Sequence, residues 1–145
     1  MTVTALSNEI NKNERLRLLG SILNDFDFLI EGSEDHPPFF YVNLGEYGAK
    51  INAYSIKNSN NKNGILINLT FSASNDGVQW VNLKEHPNDN TLKEVGTFMS
   101  KQWKINNDEN NDFFSYFKVA MIGCNDLGKW EFGCCHFEIF GEYTK

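Results

Sequence analysis

The chain has 145 residues, a formal net charge of -6 and twelve Phe, long enough for one domain that buries roughly two-thirds of its unfolded surface. Its acidic balance and lack of a Lys/Arg cluster exclude a nucleic-acid or anionic-membrane surface. No apolar run approaches the ~20 residues of a membrane span, and the N-terminus has no signal-peptide apolar region. The three cysteines, two of them adjacent at Cys134 and Cys135, argue against a disulfide framework. The expected setting is intracellular and cytoplasmic, where the sequon Asn68-Leu69-Thr70 is idle.

Residues 1–13 are polar and read as a flexible N-terminal segment, leaving 14–145 as a single domain. From Glu14 to Phe26, the positions Leu16, Leu19, Ile22, Leu23 and Phe26 suit one face of a short helix. Gly20 and the Leu16/Leu18 alternation suit a strand instead. Glu31 to Pro38 is a loop, with two acids, His36 and two prolines that forbid regular pairing. Phe39 to Leu44 is a strand with Phe40, Val42 and Leu44 on one face. Ile51 to Ile56 is another, and Lys57 to Gly64 is a polar surface loop.

The clearest pattern runs from Ile65 to Leu83. Ile65, Ile67, Leu69, Phe71 and Ala73 alternate with Leu66, Asn68, Thr70, Ser72 and Ser74, and the first set is expected to face a core. Ser74-Asn75-Asp76-Gly77 supplies residues that tolerate positive φ, so two strands can turn back on each other there. Trp80 follows, with more apolar surface than one hairpin can cover. Glu85 to Lys101 has no sustained period and reads as a long excursion before a short strand at Trp103 and Ile105. Phe113 to Ile122 places Phe117, Val119 and Met121 on one face and Lys118 on the other. Gly123 to Gly133 is a loop, and the last strand runs from Cys134 to Tyr143, with Cys135, Phe137 and Ile139 inward. About seven short strands with little helix indicate an all-β, antiparallel β-sandwich.

The order of motifs resembles the discoidin, or coagulation-factor-5/8 type C, family of galactose-binding-like jelly rolls. Phe39-Phe40-Tyr41-Val42-Asn43-Leu44-Gly45 is similar to that family's Trp-x-x-Val-Asp-Leu-Gly strand. Ile51-Asn52-Ala53-Tyr54-Ser55-Ile56, Ser74-Asn75-Asp76-Gly77 with Trp80, Tyr116-Phe117-Lys118-Val119 and Phe137-Glu138-Ile139-Phe140-Gly141 continue the match to about Gly141. His86-Pro87-Asn88-Asp89-Asn90-Thr91-Leu92, followed by Trp103, and Gly123-Cys124-Asn125-Asp126-Leu127-Gly128 resemble a branch accompanying muskelin, BTB and HECT-type intracellular proteins. Residues 1–38 have no clear counterpart, Asn43 stands where the family has Asp, and Phe39 where it has Trp. The sugar, calcium and membrane functions that secreted members place near this part are therefore not carried over.

No catalytic constellation is present. There is no Gly-x-Ser-x-Gly, and the three His lie in separate segments. Cys134 and His136, about 7 Å apart on one strand face, could seed half a zinc site with Cys124 or His86. A surface His beside inert thiols is the weightier reading, and a solvated loop the weightier one for Asp108, Glu109 and Asp112. No metal or cofactor is expected. The expected function is a non-catalytic protein-interaction module, a small subunit docking into a larger intracellular assembly, with no nucleic acid and no membrane insertion. Its candidate contacts are the loops carrying Asp35 and His36, Asn60, Asn61 and Lys62, and Asn125, Asp126, Lys129 and Trp130. Trp130 is either an exposed anchor or an inward plug. The alternative is a carbohydrate-binding lectin that stacks a sugar on Trp130 or Tyr47.

Overall fold

The computed structural model describes residues 2–5, 8–11, 21–59, 64–95, 101–106, 108 and 110–144. In chain order its strands are β1 (Thr2–Ala5), β2 (Asn8–Asn11), β3 (Ser21–Glu31), β4 (Phe39–Asn43), β5 (Gly48–Asn58), β6 (Leu69–Ser74), β7 (Val81–His86), β8 (Lys101–Lys104), β9 (Tyr116–Met121) and β10 (Glu131–Thr144). A single turn of helix, α1 (Thr91–Val95), lies between β7 and β8. The strands form a six-stranded sheet, β2-β1-β4-β9-β6-β7, and a four-stranded sheet, β3-β10-β5-β8. Every pairing is antiparallel.

The alternation of apolar residues builds the core between the sheets. Phe40 and Val42 of β4, Phe71 and Ala73 of β6, and Phe117 and Val119 of β9 come from the larger sheet, all fully buried. Ile51, Tyr54 and Ile56 of β5 and Phe132, Phe137 and Ile139 of β10 oppose them. The rings interlock, with Phe40 edge-on to Phe137 at 5.1 Å and Tyr54 stacked on Phe71 at 4.3 Å. Such pairs add about 0.5–1.5 kcal/mol each beyond the apolar area they bury.

Several sequence expectations are revised. Thr2–Ala5 and Asn8–Asn11, expected to be loose, form a hairpin that extends the larger sheet beside β4. Thr2, Val3 and Thr4 are β-branched, which suits that role. Over 21–31 the helical spacing loses to the strand: Phe26, Phe28 and Ile30 alternate with Asp25, Asp27 and Leu29. The rest of the proposed helix falls at 14–20, outside the described residues. Ahead of β6 the phase is opposite to that expected, since Leu66 is buried while Ile65 and Ile67 are only half-buried. The excursion after Glu85 contains the end of β7 and α1.

A β-bulge between Cys134 and His136 shifts the register of β10 against both neighbours, so both cysteines are buried. Cys134 lies in the core with its thiol donating to His136 O, and His136 pairs with Glu138 instead (2.6 Å). The half-zinc reading fails on that geometry. Asp108 and Asp112 accept from the backbone N–H groups of Asn110 and Phe113. Among the described residues no group of three or more His, Cys, Asp or Glu is gathered as for a metal.

Candidate functional site

The antiparallel register carries four connections to one end of the sandwich. Phe39 opposite Ala120, and Leu69 opposite both Met121 and His86, bring 32–38, 64–68, 87–90 and 122–130 together. Three asparagines hold them in place. Asn58 donates to Ser59 O and Gly64 O and accepts from Leu66 N. Asn68 donates to Cys124 O and accepts from Asn88 N, so the sequon residue is a bracket between two loops. A Cβ on Gly123 would stand 2.8 Å from Asn68 Cγ, which is why a residue without a side chain sits there.

Asn125 is the third, 2 % exposed. Its Oδ1 accepts from the N–H groups of Leu127 (3.0 Å) and Lys129 (3.1 Å), and its Nδ2 donates to Glu131 O. Asp126 accepts from Ile65 N at 2.6 Å and lies 3.9 Å from Lys93 Nζ. Gly32 N donates to Trp130 O, which joins the 32–38 loop to the same end.

Of the residues singled out from sequence, Asp35, His36 and Lys129 are exposed at this end, and Asp126 is half-buried. Trp130 is half-buried and packs against the core. Asn60, Asn61 and Lys62 lie outside the described residues. The apolar side chains that stand out here are ones the sequence reading passed over, Leu127 at 56 % and Ile122 at 42 % exposure. The available signal was a Leu between Asp126 and Gly128, an apolar residue with no strand period to bury it.

Beneath these loops Tyr54 of β5 reaches across the core to His86 of β7, bonding to Nε2. His86 Nδ1 faces Asp89 Oδ2 at 3.1 Å, and Asp89 accepts from Thr91 N and Thr91 Oγ1 at the start of α1. Burial lowers the His86 pKa more than Asp89 raises it, so the ring is neutral near pH 7. Burial pulls the Asp89 carboxyl up, but bonds from Thr91 and His86 outweigh it and the net shift is down. An ionised Asp89 only accepts, so Nδ1 carries the proton and Nε2 accepts from the Tyr54 hydroxyl. Burial first, then the Asp89 charge, push the Tyr54 hydroxyl pKa up. Tyr54 is fully buried and His86 is 4 % exposed. At that depth the bond between Tyr54 and His86 ties one sheet to the other.

Two further surfaces carry side chains of interest. On the outer face of the larger sheet, Lys118 Nζ lies 4.2 Å from the ring centre of Trp80 and 5.7 Å from that of Phe39. Tyr41 lies 6.0 Å from both Trp80 and Tyr116, and Phe39 stacks on Tyr41. Trp80, expected to need a second layer, finds its cover here. At the opposite end from the loops, a cleft of about 220 Å³ is lined by Lys50, Ile51, Asn52, Asn111, Phe113 and Glu142. Asn111 is 6 % exposed, and its Oδ1 has no hydrogen-bond partner among the described residues. An unmet acceptor of that kind costs about 1–3 kcal/mol.

Comparison with known proteins bears on the whole architecture. A family 32 carbohydrate-binding module of Clostridium perfringens, solved with GalNAc-β-1,3-galactose, superposes with a TM-score of 0.63 over 96 % of this chain and 94 % of that one, at 18 % identity. The fold is a discoidin-like, galactose-binding-like jelly roll. A second family 32 module from C. perfringens, in complex with galactose, gives a TM-score of 0.56 over 99 % of the discoidin-like chain and 93 % of its own, at 14 % identity. A pectin-binding carbohydrate-binding module gives 0.60 over 96 % and 88 %, at 14 % identity. In sequence the chain is 28 % identical over 112 residues to the E3 ubiquitin-protein ligase hecd-1 of Caenorhabditis elegans. That match covers 76 % of the discoidin-like chain and 4 % of the ligase. No protein-family model matches the chain. No helix among the described residues is long and apolar enough to cross a membrane.

Proposed function

We propose that this discoidin-like domain is a non-catalytic docking module that holds a protein partner at its loop end, within a larger intracellular assembly. The observation that carries the reading is Leu127, projecting 56 % exposed from a loop whose backbone Asn125 braces from within. An apolar contact on a preorganised loop, flanked in the same loop by Asp126 and Lys129, has the make-up of a small interface centre with a polar edge. The sequence similarity to part of a ubiquitin ligase supports this reading, while the sugar-binding modules share only the fold.

The test is the native mass of the tagged protein from its own cells, with co-purifying chains quantified. A stoichiometric partner that survives salt and is lost with Leu127→Asp supports docking at this end. A monomer, or a partner indifferent to that substitution, refutes it. The carbohydrate-module reading has its own support in the cleft: Phe113 offers an apolar face, and Lys50 and Glu142 offer polar groups for hydroxyls. Titration with galactose, followed by amide shifts, decides it. Absence of shifts at millimolar sugar would remove that reading.

A further inference from the structure

The outer face of the larger sheet is unusual in composition. An exposed antiparallel face ordinarily carries polar side chains, yet this one gathers Phe39, Tyr41, Trp80 and Tyr116 around Lys118. Asp76 fixes the turn that supplies Trp80, accepting from Val78 N (2.8 Å), Gln79 N (2.9 Å) and Ser74 Oγ (2.9 Å). The same turn leaves Val78, two residues before Trp80, 78 % exposed. Tyr116 packs where Gly77 leaves room, since a Cβ there would stand 3.2 Å from its ring.

Lys118 is the one cation of this cluster. Its ammonium has ring faces on two sides, and among the described residues no carboxylate lies within ion-pair distance and no acceptor meets its N–H groups. Burial alone lowers its pKa, with no opposing charge acting on it. Cation–π contacts stabilise the charge and leave the three N–H donors to solvent or to an incoming acceptor, and a carboxylate matches both the donors and the charge.

We propose that this face is a second docking surface, separate from the loop end, for an acidic protein segment. A carboxylate of the segment pairs with Lys118, and its neighbouring apolar side chains rest on Trp80, Tyr41 and Val78. Tyr and Trp are the residue types that dominate interface energies, and a flat, rigid sheet face orders little on binding. With two surfaces, the module bridges two partners.

The test is selection from a random-peptide display library on the immobilised full chain, followed by affinity measurement with synthetic peptides. Selected peptides should be enriched in Asp or Glu flanked by apolar residues, and their binding should weaken as salt rises. Lys118→Met, which keeps the stem packed on the rings, should weaken binding about tenfold or more. Trp80→Ala should weaken it similarly, and Leu127→Asp should leave it unchanged. An empty selection, peptides without acidic enrichment, or affinity unaltered by Lys118→Met would overturn the proposal. So would tighter Lys118-dependent binding of oligogalacturonate, which would make the partner an acidic glycan.

Discussion

Replacing Tyr54 by Phe removes one hydroxyl and tests the buried relay directly. The ring stays stacked on Phe71, so packing changes little, but His86 Nε2 loses its donor in a site where His86 is 4 % exposed. Stranding a buried acceptor costs about 1–3 kcal/mol, so a loss of about 2 kcal/mol is expected at pH 7.5. For a chain of this size that is about 4–8 °C in Tm. The pH dependence is more diagnostic. The folded-state pKa of His86 is depressed, so its neutral form contributes stability that is full above the unfolded value of about 6.5. As pH falls below that value the unfolded chain takes up a proton that the folded chain refuses, and stability is lost until the folded pKa is reached. Without the Tyr54 hydroxyl to bond the lone pair, Nε2 protonates more readily in the folded state and the depression shrinks. The variant therefore loses less than the parent on acidification, and the gap between them narrows below about pH 6.5. Urea unfolding of both proteins from pH 7.5 to pH 5 measures this. A gap under about 0.5 kcal/mol, or one constant with pH, would refute the assigned hydrogen bond and tautomer.

Asn125→Ala removes the brace of the 122–130 loop and should cost about 2 kcal/mol, with faster amide exchange at Leu127 and Lys129. Unchanged exchange at those two amides would show that the loop holds its shape by other means. Gly123→Ala drives a methyl into Asn68 and should cost about 1–3 kcal/mol by urea unfolding. The double variant with Asn68→Ala should recover part of that loss, and strict additivity would remove the clash as its cause. Phe137→Ala empties a fully buried site between the sheets and should cost about 3–5 kcal/mol, read as a lower urea midpoint.

The sandwich was legible because period-two alternation survives in β4, β9 and much of β10, where one strand face is buried and the other is not. The turn after Ser74 was legible for a different reason, its local chemistry. What escaped was decided by pairings distant in sequence. Cys134 and Cys135 share the interior because a bulge breaks the alternation, and nothing in Gly133-Cys134-Cys135-His136 announces a bulge. Ile22, Leu23 and Phe26 suit a helical face while Phe26, Phe28 and Ile30 suit a strand, and only pairing with β10 chooses between the two. At the loop end the connections were visible as polar runs, but their meeting depends on strand register. Trp130 drew attention by size, although its packing against the core leaves Leu127 to reach the solvent. Tyr54 and His86 each belong to a recognisable motif, 32 residues apart, and the bond between them appears only when the sheets face each other.

That bond sets a limit on how the two layers can move. Greasy faces held by dispersion tolerate sliding, because one apolar neighbour serves nearly as well as the next. A hydroxyl buried opposite a single nitrogen has no second choice, so Tyr54 and His86 act as a dowel through the laminate. Asp89 and Thr91 extend it to the start of α1, and Asp89 N holds Ile67 O beside it. Connections rooted in different layers thereby keep a common frame, and a surface assembled from several of them can be rigid without a disulfide or a metal.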